Sequence, residues 1–410
     1  MWKRLSLNAF ILMGGLVMMN FFDSIVSGSG EKIRKPAVSG TFYPKDSNQL
    51  RQSVDQMLSE ANPPTIPGRV TALISPHAGY TYSGHVAAHA YAVIKGKPIS
   101  RVVIISPSHV EAFEGVAVYD GDAYQTPLGT IPVDKAFCSR LAAKDSLIKH
   151  ADQGHRATFQ GRGEHALEVQ LPFLQRVLSD FRIVPIVMGD QTFETCRALG
   201  AAIAALAKDS DTLIVASSDL SHYHPYDEAV KLDRKVVDAV AKWDYLSLLH
   251  NLTNRSWEAC GGGPIAVAMM ASEEMGATQA KILRYANSGD VPPGDRSHVV
   301  GYVSAALYKP DTETSLELPQ AELGKEEKET LLQISRESVA SAVRRGNLDD
   351  YSPSVDDALR EDAAVFVTLK KNAELRGCVG SVLATEPLAI AVAKAAANAA
   401  LNDHRFQAVR

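Results

Sequence analysis

Val102-Val103-Ile104-Ile105-Ser106-Pro107-Ser108-His109 is a β-branched apolar run that stops at a proline and is followed by a serine and a histidine. An apolar run without alternation is the pattern of a strand buried on both faces. Pro107 prevents the strand from continuing and fixes where the histidine turns. The pattern recurs. Thr71–Ser75 leads into Ser75-Pro76-His77-Ala78-Gly79-Tyr80, and Leu213–Ser217 leads into Ser217-Ser218-Asp219-Leu220-Ser221-His222-Tyr223-His224. Ile183–Met188 and Val299–Leu307 are further candidate strands, and helical patterns over Gly84–Lys95, Leu167–Leu178, Cys196–Lys208 and Glu228–Lys242 lie between them. Strands alternating with helices predict an α/β fold, a sheet with helices on both faces. Ligands of such sheets bind beyond the carboxyl ends of the strands, so the three histidine-bearing segments should converge on one crevice.

The composition narrows the class. The chain has 410 residues, 46% apolar and 22% charged, which predicts two or three globular domains and excludes collagen-like, disordered and polytopic membrane proteins. A net charge of −5 offers no basic surplus for a phosphate backbone, so nucleic acid is not an expected partner. Cys138, Cys196, Cys260 and Cys378 form no C-x-x-C pair, so neither a zinc ribbon nor a disulfide framework is expected.

The two ends differ from the middle. Residues 1–30 carry Lys3 and Arg4, an apolar run from Leu5 to Phe22 and the small-residue stretch Val26-Ser27-Gly28-Ser29-Gly30. That is the layout of a signal peptide or an uncleaved membrane anchor, which would make the protein exported (periplasmic) or membrane-anchored; without it the protein would be cytoplasmic. The main domain is expected over 35–308. Residues 309–330 are polar, contain two prolines and read as a linker. Residues 331–410 follow as a short second unit, with a helix over Leu331–Arg344, a strand over Ala363–Leu369 and an alanine-rich helix over Pro387–Ala400.

Cys260 joins the three histidine segments as a candidate. It lies in Glu258-Ala259-Cys260-Gly261-Gly262-Gly263-Pro264, just before the helical run Ile265–Glu274, where a helix N-terminus should favour its thiolate. Two chemistries fit these residue types. Two imidazoles and a thiolate can hold a transition metal with positions left open for a ligand. Alternatively, Cys260 is a nucleophile with His77 or His222 as its base. A non-catalytic module that binds a peptide or a modified side chain is a third possibility. Glu164-His165-Ala166-Leu167-Glu168 reads as a helix start with His165 and Glu168 on one face, serving as a charge cluster or a pocket rim. His298 is a candidate crevice residue, whereas His85 and His89 read as packing or surface positions. No P-loop, G-x-S-x-G elbow or G-x-G-x-x-G fingerprint is present.

Ala37-Val38-Ser39-Gly40-Thr41-Phe42-Tyr43-Pro44, SPHAGYTYSG, SPSH, EHALEVQLPFL, SSDLSHY and EACGGGP, six motifs in order from about Lys35 to Tyr308, resemble the Memo family, protein B of the AmmeMemoRadiSam system. Leu375-Arg376-Gly377-Cys378-Val379-Gly380 and Asn402-Asp403-His404-Arg405-Phe406 resemble the beginning of the α+β AMMECR domain, protein A of that system, so that residues 331–410 look like its N-terminal part. The resemblance implies the fold of class III extradiol dioxygenases, which hold Fe(II) on two histidines and a glutamate. It places the metal ligands on His77, His109 and Cys260, and a proton-moving His222, oriented by Asp219, beside the metal. Iron is the implied cofactor. Because a thiolate is softer than a carboxylate, copper or zinc are the alternatives. The implied partners are a small molecule or peptide and the other AmmeMemoRadiSam proteins.

Overall fold

The computed structural model describes residues 31–158, 163–208, 210–292, 294–311, 323–345, 357–371, 374–381, 386–403 and 406–409. The export or anchor segment expected at residues 1–30 lies outside them, as do His404, Arg405 and residues 312–322 of the expected linker. Among the described residues no helix is long and apolar enough to cross a membrane. The chain divides into two compact units, Met1–Asp311 and Thr312–Arg410.

The first unit is built on a nine-stranded sheet. Its strands in chain order are β1 (Gly68–Ser75), β2 (Arg101–Pro107), β3 (Val116–Val118), β4 (Ile148–His150), β5 (Arg182–Met188), β6 (Thr212–Ser217), β7 (His222–His224), β8 (Gln279–Asn287) and β9 (Val299–Pro310). Their spatial order is β7-β9-β1-β6-β2-β5-β3-β4, with β8 on the other side of β9. β1, β6, β2 and β5 are mutually parallel. Every residue of β6 is buried, as a strand covered on both faces requires. β9 has the same apolar character but runs antiparallel to β8, β7 and β1. An apolar run reports burial on both faces, and β9 shows that it does not report direction. A separate three-stranded sheet joins Ile33–Arg34, Ala123–Thr126 and Gly129–Pro132.

The helices used below are α1 (Ser47–Glu60), α2 (Tyr80–Ala92), α3 (Leu171–Val177), α4 (Phe193–Ala207), α5 (Tyr226–Ala241), α6 (Tyr245–Thr253) and α7 (Gly262–Glu274). α2 packs on β1, β8 and β9, while α7, backed by α4, packs on β1, β2 and β6. α7 is buried from Gly262 through Ser272, so it is apolar on every side, as a helix between layers must be. It starts earlier than the apolar run suggests, which puts Pro264 in its third position. The helix expected over Leu167–Leu178 is shorter. A single 3₁₀ turn, Glu168–Gln170, leads into α3.

The second unit has its own core of Ile334, Leu359, Leu388, Ala389, Val392 and Ala393. It contains helices α8 (Lys325–Arg345) and α9 (Leu388–Leu401) and a hairpin of β10 (Val365–Lys371) and β11 (Glu374–Ser381). Helix α8 begins within the segment that reads as linker. Cys378 lies inside β11 and its N–H donates to Asp403. At Gly377 a Cβ would come within 2.1 Å of the Ala399 carbonyl, so this strand passes α9 as closely as a backbone can.

His155 ties the small sheet to the main one. Its Nε2–H donates to the Ala117 carbonyl at 2.9 Å, leaving Nδ1 to accept from the Tyr124 hydroxyl at 2.6 Å. Burial pushes its pKa down to about 4. The folded pKa is therefore below the unfolded one, near 6.5, and the unfolded chain binds the extra proton in that window. Stability is expected to fall as the pH drops from about 6.5 to 4, by up to about 3 kcal/mol from this group. Urea midpoints at pH 7 and pH 4.5 read the effect, and His155→Gln should remove up to one proton from the slope.

Candidate metal centre

The parallel strands deliver the chemistry to one edge. Ser75 is paired with Ser217, and Pro107 with Met188, so β1, β2, β5 and β6 end side by side. His77 and His109 each lie two residues past their strand, as does Asp219 past Ser217. One ring nitrogen from each of His77, His109 and His165 lies within 4.8 Å of the other two. The His77 and His109 rings meet edge to face at 5.1 Å, and His165 stacks on His109 at 4.7 Å. Cys260 Sγ lies 3.1 Å from His77 Nε2 but outside that trio, so the close donor group is three histidines and not the expected His77, His109 and Cys260.

The proton positions follow from the hydrogen bonds. Ser217 Oγ donates its one proton to the Ala166 carbonyl at 2.6 Å and accepts from Gln170 Nε2 at 2.9 Å. It can therefore only accept from His77 Nδ1, at 2.8 Å, which leaves a lone pair on His77 Nε2. His109 Nδ1 faces Glu164 Oε1 at 3.1 Å, and its backbone N–H donates to Oε2 at 2.6 Å. A carboxylate only accepts, so His109 Nε2 also keeps its lone pair. This carboxylate–histidine arrangement orients imidazoles for metals. Burial opposes the charge on Glu164, but the His109 contacts outweigh it and hold the carboxyl at about 2. Burial, then the neighbouring His109, His165 and His222, keep His77 well below the ordinary histidine range, so its ring is neutral.

His222 and Asp219 stand beside the trio, but not in the relation the resemblance implies. His222 Nδ1–H donates to the Leu220 carbonyl at 2.9 Å, so its orientation comes from the backbone. The Asp219 carboxylate accepts the His77 N–H at 2.7 Å instead, and its own N–H approaches Cys260 Sγ at 3.3 Å. Burial pushes Asp219 up to about 7 and His222 below its ordinary value. The helix N-terminus does not make Cys260 a thiolate. Burial, then the Asp219 carboxyl, push its thiol well up. The expected dipole effect is outweighed by desolvation.

The turn that carries Cys260 is clamped from β5. Gln191 Nε2 donates to the Cys260 carbonyl at 2.7 Å, and Gln191 Oε1 accepts the Gly263 N–H at 2.6 Å. A Cβ on Gly261 would lie 2.1 Å from the Ser217 carbonyl, so the turn and the end of β6 touch backbone to backbone. Gly261→Ala must push the turn off the strand. A loss of about 1–3 kcal/mol is expected, with Cys260 displaced from His77; thermal melts with thiol-accessibility assays check both.

Gln191 is a residue that the sequence did not mark for the site, and Glu164 and His165 were marked only as a charge cluster or a pocket rim. Gln191 follows the end of β5, so the reading that found His77, His109 and Asp219 applies to it as well. Glu164 and His165 lie in irregular chain before the 3₁₀ turn, where no strand end announces them. His165 and Glu168 do not share a face. Glu168 is fully buried and turns away to accept from Arg34, from the Ala37 N–H at 2.7 Å and from the Tyr43 hydroxyl at 2.5 Å. His298 is exposed, and His89 hydrogen-bonds within its own helix.

The family described as Memo-like protein matches residues 34–306. The chain belongs to the Memo family. The family described as AMMECR1 matches residues 332–410, so a Memo domain and an AMMECR1 domain share this chain. A MEMO1 family protein of Methanothermobacter thermautotrophicus is 39% identical over 280 residues, covering 66% of this chain and 98% of its own. Another from Methanopyrus kandleri is 39% identical over 297 residues, covering 67% and 99%. One from Nitrosopumilus maritimus is 36% identical over 275 residues, covering 66% and 98%. In each case the Memo domain corresponds to nearly the whole relative.

Proposed function

We propose that the Memo domain is a mononuclear metalloprotein acting on a small molecule, with metal-dependent oxidoreduction as its reaction class. The ligands are His77 Nε2, His109 Nε2 and Cys260 Sγ, and His165 is a further nitrogen donor at the same place. One observation carries this reading: Ser217 and Glu164 each hold the Nδ1–H of a histidine, which commits both Nε2 lone pairs. The donor set fits a transition metal, with iron first and copper or zinc as alternatives. Bound there, the metal would supply a Lewis-acid and redox centre.

The chain's own residues account for the rest. His222, neutral because burial disfavours its charge, takes a proton at Nε2, since Nδ1–H is held by Leu220. Asp219, near half-protonation at neutral pH, is the adjoining group able to hold a proton. The raised thiol weighs against the nucleophile reading, because the attacking species would be the thiolate and Cys260 is held as the thiol. Metal coordination removes that proton directly. The test is Co(II) loading of the intact chain. A sulfur-to-cobalt charge-transfer band is expected in the parent and in His165→Ala and absent in Cys260→Ser. Equal spectra in parent and Cys260→Ser would remove Cys260 from the ligand set.

A further inference from the structure

A cavity of about 520 Å³ opens beside the centre and shares His222 and Cys260 with it. Its far wall is apolar, with Leu249 and Leu252 from α6 and Trp257 from the segment that follows. That wall is fixed to the metal-site turn, since a Cβ on Gly262 would lie 2.0 Å from Leu252 Cδ1. The volume suits one small organic molecule, and an apolar wall with a few polar groups at one end is the usual form of such sites.

The carboxylate lining the polar end is that of Glu258, and no lysine or arginine lines the cavity among the described residues. This carboxylate accepts from His224 Nε2 at 2.9 Å and from the His222 N–H at 3.4 Å. On the other side of that pair, Glu228 lies 3.6 Å from His224 Nδ1. A partly closed cavity focuses such a field, so at the Glu258 end an anion meets repulsion with no lysine or arginine beside it. The side chain of Glu258 is 39% exposed, enough to receive a second donor.

We propose that this cavity is the substrate chamber of the metal centre, and that its ligand is a monocationic amine with an apolar body of about ring size. The body lies against Leu249, Leu252 and Trp257, and the ammonium group faces Glu258. What then happens to the ligand rests on the metal-centre reading above, whereas its binding does not.

The test uses three isosteres, phenethylamine, 2-phenylethanol and phenylacetate, titrated by calorimetry into the intact chain with and without Zn(II), with metal content measured on the same samples. Phenethylamine should bind at least about tenfold more tightly than phenylacetate, with the alcohol between them. Glu258→Gln should bring the amine to within about threefold of the alcohol, while Trp257→Ala should weaken all three. Either of two outcomes overturns the proposal: phenylacetate binding as well as the amine, or none of the three binding below about 10 mM. An amine preference that Glu258→Gln leaves intact overturns the role of Glu258. Protein that holds no metal yet prefers the amine counts against the metal centre alone. Protein that holds metal and shows no preference counts against the chamber alone.

Discussion

Replacing Glu168 with alanine is expected to destabilise the Memo domain by about 3–5 kcal/mol, because the replacement strands a buried charge. Arg34 and Glu168 form an ion pair with 3% and 0% side-chain exposure. Removing Glu168 leaves the guanidinium with only the carbonyls of His155 and Glu164, and leaves the Ala37 and Val38 N–H groups and the Tyr43 hydroxyl without their acceptor. Replacing both partners with apolar residues would not restore the chain, since those three donors would stay unsatisfied. A fall in melting temperature on the order of 10 °C should follow. The segment so anchored carries Phe42, whose ring lies 4.6 Å from that of His165, so metal affinity should weaken with it. A loss under about 1 kcal/mol in a denaturation curve would show that this clamp is not what holds the N-terminal segment.

Glu164→Gln is expected to lower metal affinity by about 10–100-fold while leaving the ligands themselves in place. Glu164 accepts from His109 Nδ1–H, the His109 N–H, the His165 N–H and the Ala166 N–H. An amide has one oxygen and two N–H donors, so one of these four groups must face an N–H. With the amide oxygen in the Oε1 position the His109 Nδ1–H keeps its acceptor and the His109 backbone N–H loses its own, while His109 and His165 lose the charge that holds them. Competitive titration with a chelating indicator measures the change. Glu164→Asp, with the charge kept on a shorter arm, should recover part of the affinity. Equal affinity in parent and Glu164→Gln would mean that the carboxylate only shapes the loop.

The sheet's centre was readable because β2, β5 and β6 are continuous apolar runs, and the polar ends of β1, β2 and β6 located His77, His109 and Asp219. The edges were not. β3 and β4 have three residues each, too few to show a period, and β8 reads Gln279-Ala280-Lys281-Ile282-Leu283-Arg284-Tyr285-Ala286-Asn287, with neither an apolar run nor clean alternation. The direction of β9 depends on what it pairs with, which its own residues do not encode. At the site, a strand followed by a proline, or by a run of serines, marks a position, so the histidines after β1, β2 and β6 stood out. Glu164 and His165 occupy irregular chain between β4 and β5, where their role depends on contacts with His109 that are distant in sequence. The orientation of His222 is a related case. The resemblance implies Asp219 as its partner, but the chain turns so that Leu220 supplies the acceptor.

The most direct measurement is the metal content, by mass spectrometry, of the intact chain purified anaerobically, beside His77→Ala and His109→Ala. About one equivalent of iron or copper in the parent, absent from both variants, is the predicted result. A folded parent that contains no metal and takes up none from Fe(II), Cu(I) or Zn(II) would contradict the metal centre.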